Sequence, residues 1–155
     1  TGRMNGGLGV FLKGDGRGGF DPLWPRASGL VESGDARSVA VTDVNGDGAP
    51  DLVMSINDAA PSVWLHRGGD FLGVRLTGPR GNPTGLGAVI SVQGGAGSPS
   101  VLEVAGGGGY LTQHGSTHFF AASGSSARVT VRWPDGVVTT ATGEPGRLLN
   151  IVHGK

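Results

Sequence analysis

The chain has no cysteine. Disulfide bridges, thiolate metal sites and thiol catalysis are thereby excluded. Charge is scarce: 15% of the residues are charged and the formal net charge is zero. The basic residues are scattered along the chain rather than clustered. That argues against an electrostatic footprint for nucleic acid or a membrane surface, so no nucleic-acid partner and no membrane insertion are expected. No apolar run is long enough for a spanning helix. No signal peptide is visible, and the chain begins at Thr1 without Met, which reads as a processed, truncated or fragmentary chain. No Gly-x-Ser-x-Gly elbow occurs, and Ser, His and Asp residues show no telling grouping. No enzymatic activity is expected on these grounds.

Glycine is what the chain has in excess: 32 of 155 residues, with 9 prolines. So many breakers leave no room for a long helix and predict short strands joined by many turns. The expected fold class is all-β. A hydrophobic content of 37% suffices for modest cores, in one domain or two small ones.

One stretch carries chemistry. Asp43-Val44-Asn45-Gly46-Asp47-Gly48-Ala49-Pro50-Asp51 places three carboxylates and one amide oxygen at its positions 1, 3, 5 and 9. A hard cation suits such a loop, because Ca²⁺ takes six to eight oxygen ligands at roughly 2.3–2.6 Å. Three negative charges this close repel one another, and a divalent cation resolves the conflict. The expected ligands are the side chains of Asp43, Asn45, Asp47 and Asp51 with the carbonyl of Ala49. The opening also fits an EF-hand loop, D-x-[DN]-x-[DN]-G. The remainder does not, because the twelfth position, where an EF-hand carries a bidentate Glu, is Met54. Both flanks, Ser38–Thr42 and Leu52–Ile56, read as strands. The competing reading is an acidic β-turn without metal, since Asn-Gly and Asp-Gly are common turn formers. A Ca²⁺ site can staple a cysteine-free chain as disulfides do in other secreted modules, and resting cytosolic Ca²⁺ is too low to fill a weak site, so an extracellular, cell-surface or periplasmic setting is expected.

This strand–loop–strand pattern resembles the calcium loop of FG-GAP/VCBS repeats, the blades of integrin-type β-propellers, in which D-x-[DN]-x-D-G-x-x-D joins two strands. The resemblance implies Ca²⁺ held by Asp43, Asn45, Asp47, Ala49 and Asp51. It extends upstream to Gly14-Asp15-Gly16-Arg17-Gly18-Gly19-Phe20. Asp15 there reads as a hairpin-turn residue, with a weak second cation ligand as the alternative. With strands at Val10–Lys13 and Val63–His66, residues 1–68 are expected to form about one four-stranded blade, with Trp24 and Leu30 in its core. One blade cannot bury both faces. It is expected to pack on upstream blades, on the second domain or on other protein chains.

Arg67-Gly68-Gly69 reads as the boundary. Residues 69–155 carry seven short strand patterns and suggest a small β-sandwich or barrel. Arg128–Trp133 alternates, with Val129, Val131 and Trp133 facing inward, before a Pro134-Asp135-Gly136 turn. This half resembles an ASPIC/UnbV domain. The matching pieces are Phe71–Leu76, Asn82 with Gly85–Ala88, Gly107–Gln113 and Val131–Gly136. One departure is Phe119-Phe120-Ala121-Ala122-Ser123, where the family usually shows His-Phe-Gly-Leu-Gly. Such domains commonly follow FG-GAP/VCBS repeats, as in cartilage-acidic-protein-like chains, and the two resemblances support each other.

Other features have plainer readings. Gly106–Gly109 lacks the Lys-Ser/Thr ending of a phosphate loop and reads as a flexible or bulged link anchored by Tyr110. His114 and His118 would share a helix face, but the surroundings are β and no third zinc ligand is indicated. Tyr110, Trp133 and Trp64 read as core residues, with a sugar-stacking platform as the alternative. The expected function is a non-catalytic, calcium-stabilised extracellular module for adhesion or protein assembly, the C-terminal part of a larger propeller protein. A carbohydrate-binding surface module, with glycans as partners, and an accessory domain of a secreted enzyme stay open.

Overall fold

The computed structural model describes residues 8–15, 17–67, 70–95 and 99–155. Among the described residues twelve strands and one four-residue helix make up the regular structure, so the fold is all-β, as the glycine content predicts. Among the described residues no helix is long and apolar enough to cross a membrane.

The first part contains two sheets. Strands β1 (Phe11–Gly14) and β2 (Phe20–Leu23) form an antiparallel hairpin. Its turn is built on Asp15, whose Oδ1 accepts the N–H groups of Arg17 and Gly19 at 2.7 and 2.9 Å. Asp15 thus serves as a turn former; Gly16 of the same motif lies outside the described residues. Helix α1 (Pro25–Ser28) follows. Strands β3 (Ala36–Thr42), β4 (Asp51–Ile56) and β5 (Ser62–Trp64) then form an antiparallel sheet in that order.

The expected single four-stranded blade is therefore divided into a two-stranded hairpin and a three-stranded sheet. The physical reason lies between them: Pro25 starts a short helix and a glycine ends it with positive φ at Gly29, so β2 is led away from β3. Leu30 is buried as expected, but Trp24 is 74% exposed. Among the described residues no further sheet pairs with or covers the hairpin, and Phe11, Leu12 and Phe20 are exposed, as Trp24 is.

The second part is a sandwich of seven strands. β6 (Phe71–Thr77) is central to a three-stranded sheet, between β12 (Leu148–Val152) and β9 (Thr117–Ala121). β10 (Ala127–Arg132) and β7 (Val89–Gln93) are central to a four-stranded sheet, flanked by β11 (Val138–Gly143) and β8 (Ser100–Glu103). Every ladder is antiparallel except β12 on β6, which is parallel. Residues i and i+2 of a strand share a face, and the inner faces meet: Leu72, Val74 and Leu76 of β6, with Ile151 of β12, pack against Ile90, Val92, Val129 and Val131 of the facing sheet. Val129, Val131 and Trp133 point inward as their alternation predicts.

The buried apolar cluster of the described residues lies wholly within this part, from Leu72 to Ile151. The expected boundary at Gly68-Gly69 falls outside the described residues.

Candidate functional site: the loop between β3 and β4

Thr42 and Asp51 pair across the mouth of the loop, so its two strands hold the acidic residues in a closed hairpin. Gly46 and Gly48 take φ of 78° and 83°, left-handed values that a side chain would strain. Those two turns bend the chain around Asp43. Its Oδ1 accepts the N–H groups of Gly46 and Asp47 at 2.7 and 3.1 Å, and its Oδ2 accepts that of Gly48 at 3.0 Å. Asn45 Oδ1 accepts the Asp47 N–H at 3.1 Å, while its Nδ2 donates to Asp47 Oδ2 at 2.8 Å. Asp47 Oδ1 accepts the Ala49 N–H at 2.9 Å. That bond, followed by the one from Asn45, holds the Asp47 carboxyl below its ordinary pKa.

The side chains of Asp43, Asn45 and Asp47 thus accept the backbone N–H groups of residues 46–49. Ala49 is buried. Asp51 stands apart from these bonds. It is fully buried, and its carboxylate accepts the N–H of Val44 at 2.9 Å and that of His66 at 2.8 Å. It therefore ties the entrance of the loop to the chain leaving β5. Sequence reasoning placed Asp51 among the ligands but not in this role, because His66 is fifteen residues away.

Among the described residues no group of three or more His, Asp or Glu side chains converges as a metal cluster. The donor chemistry itself suits a hard cation. All the expected ligands are oxygens, and a carboxylate oxygen that accepts one N–H keeps further acceptor capacity. Asp43 Oδ2, both oxygens of Asp47, both of Asp51, Asn45 Oδ1 and the Ala49 carbonyl are the groups that would hold such an ion.

The remaining candidates take other places. Gly107 and Gly108 lead into an isolated bridge between Gly109 and Thr112, with no helix after them. His114 Nδ1 accepts the backbone N–H of Val41, 73 residues away in sequence, at 3.1 Å. Among the described residues no third ligand joins His114 and His118. Trp133 lies in the core at 1% exposure, and Trp64 is half-buried with its indole N–H enclosed and without a partner. Tyr110 is 73% exposed, which corrects the expectation of a core role. The glycines around it leave it on an excursion outside the sandwich strands.

His118 sits in β9 opposite Val74. Burial, then the nearby His114, pushes its pKa below the ordinary value of 6.5. The sign follows from proton uptake: as pH falls through about 6.5 the unfolded chain binds the proton first, so stability is full above that pH and declines toward the folded value. The melting temperature is expected to drop between pH 7.5 and 5.5, and His118→Gln to remove part of that drop. Identical pH profiles for the two proteins would contradict this assignment.

Two comparisons with known families bear on these elements. A family model described as ASPIC and UnbV matches residues 78–155. A model of the FG-GAP repeat matches residues 36–64, from the start of β3 to the end of β5, with the acidic loop inside it. A comparison with curated proteins gives no match.

Proposed function

Because the chain belongs to the ASPIC and UnbV family and carries an FG-GAP repeat ahead of that domain, we propose that it is a non-catalytic, calcium-stabilised extracellular module that works by joining other protein surfaces. The division proposed is a calcium-bearing propeller-type part up to residue 68 and an ASPIC/UnbV sandwich from residue 69.

The observation that carries this reading is the loop 43–51. It lies inside the FG-GAP match, it is all oxygen in its donors, and hydrogen bonds from the loop's own backbone amides fix the carboxylates of Asp43 and Asp47. The ion supplies charge neutralisation and rigidity, not reaction chemistry. Asp43, Asn45, Asp47, Asp51 and the Ala49 carbonyl hold it. A typical extracellular module binds Ca²⁺ with a dissociation constant near 10⁻⁴–10⁻³ M. At ~1 mM Ca²⁺ and a constant of ~10⁻⁴ M, linkage contributes about 1.4 kcal/mol. That is modest beside a usual stability of roughly 5–15 kcal/mol, but it acts on a part with few buried residues of its own. FG-GAP repeats are typically extracellular or periplasmic modules, where calcium at that level is present.

A joining role is supported by the uncovered side of the first part. Phe11, Leu12, Phe20 and Trp24 of the hairpin and helix entrance are all exposed; Phe11 and Leu12, consecutive in β1, lie on opposite faces, so both faces of the hairpin offer apolar side chains to a partner. The chemistry of the partner is accordingly apolar: another propeller blade or a second protein chain.

Isothermal titration of the chain with Ca²⁺ and Mg²⁺ tests the metal assignment. Ca²⁺ is expected to bind more tightly, since Mg²⁺ demands a small octahedral cage. Asp47→Ala is expected to abolish the calcium-dependent rise in melting temperature, and to cost the calcium-free protein only the bonds within the loop to the Ala49 N–H and the Asn45 amide. Equal or tighter Mg²⁺ binding, or an intact calcium response in Asp47→Ala, sinks the assignment.

A further inference from the structure

The flanks of the acidic loop are one place where the two parts of the chain touch. Val41 enters the loop at the outer edge of β3, and both of its backbone groups are taken by the sandwich. Its N–H donates to His114 Nδ1 at 3.1 Å, and its carbonyl accepts the Gly115 N–H at 3.2 Å. The fit is close enough to exclude side chains. A Cβ on Gly115 would come within 3.1 Å of Thr42 Oγ1, and one on Gly48 within 3.2 Å of the Gly146 carbonyl oxygen. A Cβ on Gly108 would fall 2.4 Å from the His114 ring, so the glycine-rich run gives His114 the room to reach Val41. Beside these contacts lies a cavity of about 110 Å³ whose walls include Thr42, Asp43 and Gly48 on one side and Arg75, Thr117 and Arg147 on the other.

We propose that the loop 43–51 is the seat on which the sandwich docks, so that cation occupancy of the loop and closure of the Val41–His114–Gly115 clasp are thermodynamically linked. The inference rests on the calcium reading of the loop given above. Its physical basis is the shared backbone. The clasp needs Val41, Thr42 and Gly48 in fixed positions, and the same residues border Asp43 and Asp47. With the three carboxylate charges of the loop unopposed, repulsion favours opening at its mouth, where the clasp sits. With those charges neutralised, the mouth is held and the clasp closes at less entropic cost. Linkage is reciprocal: whatever factor the ion adds to docking, docking adds to affinity for the ion. Opening the clasp therefore weakens calcium binding although no ligand is touched.

The experiment uses the whole chain. Amide exchange is followed by NMR with Ca²⁺ and with chelator, and calcium affinity is measured by titration for the parent protein, His114→Ala and Gly115→Leu. In the parent, Ca²⁺ is expected to slow exchange of the Gly115 amide about tenfold and leave the Val131 amide, deep in the sandwich, unchanged. Both variants are expected to bind Ca²⁺ about fivefold more weakly, a coupling at the low end of the usual range. His114→Ala adds no bulk, so it reports on the clasp even where Gly115→Leu fails to fold. Calcium binding with an unchanged Gly115 amide, and with parent affinity in His114→Ala, overturns the linkage alone. No calcium binding by the parent overturns the metal reading, and the linkage with it.

Discussion

Asp51→Ala is expected to unfold the β3–β5 sheet even with calcium chelated. Asp51 is fully buried, and its two oxygens satisfy the N–H groups of Val44 and His66. Truncation leaves both donors, which sit in part-buried bonds, without this partner. A fully buried orphaned donor costs about 1–3 kcal/mol, and water reaches these two in part, so the loss falls toward the low end of roughly 2–6 kcal/mol. That is comparable to the whole stability of a small unit. Hydrogen exchange across residues 51–56 in chelator measures it. The comparison with Asp47→Ala is what gives the result meaning. Both are proposed ligands, but Asp47 bonds only within the loop whereas Asp51 ties the loop to the chain leaving β5, so only Asp51→Ala is expected to deprotect β4 without calcium. If the two variants behave alike in chelator, the hydrogen-bonding role of Asp51 is wrong.

Trp133→Ala is expected to destabilise the sandwich by about 3–5 kcal/mol, the usual cost of emptying a large aromatic site. Trp133 follows β10 and is 1% exposed. Its indole N–H donates to Thr139 Oγ1 of β11 at 3.0 Å, and the His153 ring meets it edge-on at 5.0 Å. His153 Nε2 in turn stands 2.8 Å from Asp135 Oδ2. The residue thus pins the β10–β11 hairpin to the segment after β12, across the two sheets. Trp133→Phe keeps most of the volume and loses only the donor, so it is expected to cost clearly less. Urea unfolding at fixed calcium checks both. A loss below about 1 kcal/mol for Trp133→Ala, against the central range for such truncations, would sink this account. Calcium dependence of the loss would also count against it, since Trp133 lies in the core cluster and not at the loop.

How much of this could be read from the sequence depends on how local each signal is. The ligand set of the loop is confined to Asp43–Asp51, so spacing alone exposes it. Val129, Val131 and Trp133 declare their face by alternation, and Pro134-Asp135-Gly136 declares the hairpin. The burial of Asp51 depends on His66, and the clasp joins Val41 to His114, so no local pattern encodes either. Trp24 and Tyr110 depart from the expected core for one reason: an aromatic among apolar neighbours looks like core, but burial also needs a facing layer. Trp24 belongs to the uncovered hairpin, and Tyr110 to a glycine-rich excursion. The split of the expected blade into two sheets has the same origin, because pairing between strands is a tertiary choice that periodicity leaves open.

The parallel pairing of β12 with β6 has a consequence during synthesis. The central strand of the three-stranded sheet begins at Phe71, and the neighbour that covers its second edge begins at Leu148, 77 positions later. At about 5–20 residues per second a ribosome needs roughly 4–15 s to close that gap. Throughout that interval Leu72, Val74 and Leu76 belong to a nascent sheet with an open edge and an unfinished inner face, a state prone to pairing with the wrong strand. Non-local closure of this kind is also slow once the chain is complete. The strand that seals the sandwich is the last of those described to leave the ribosome, so the open edge of β6 persists until that strand emerges.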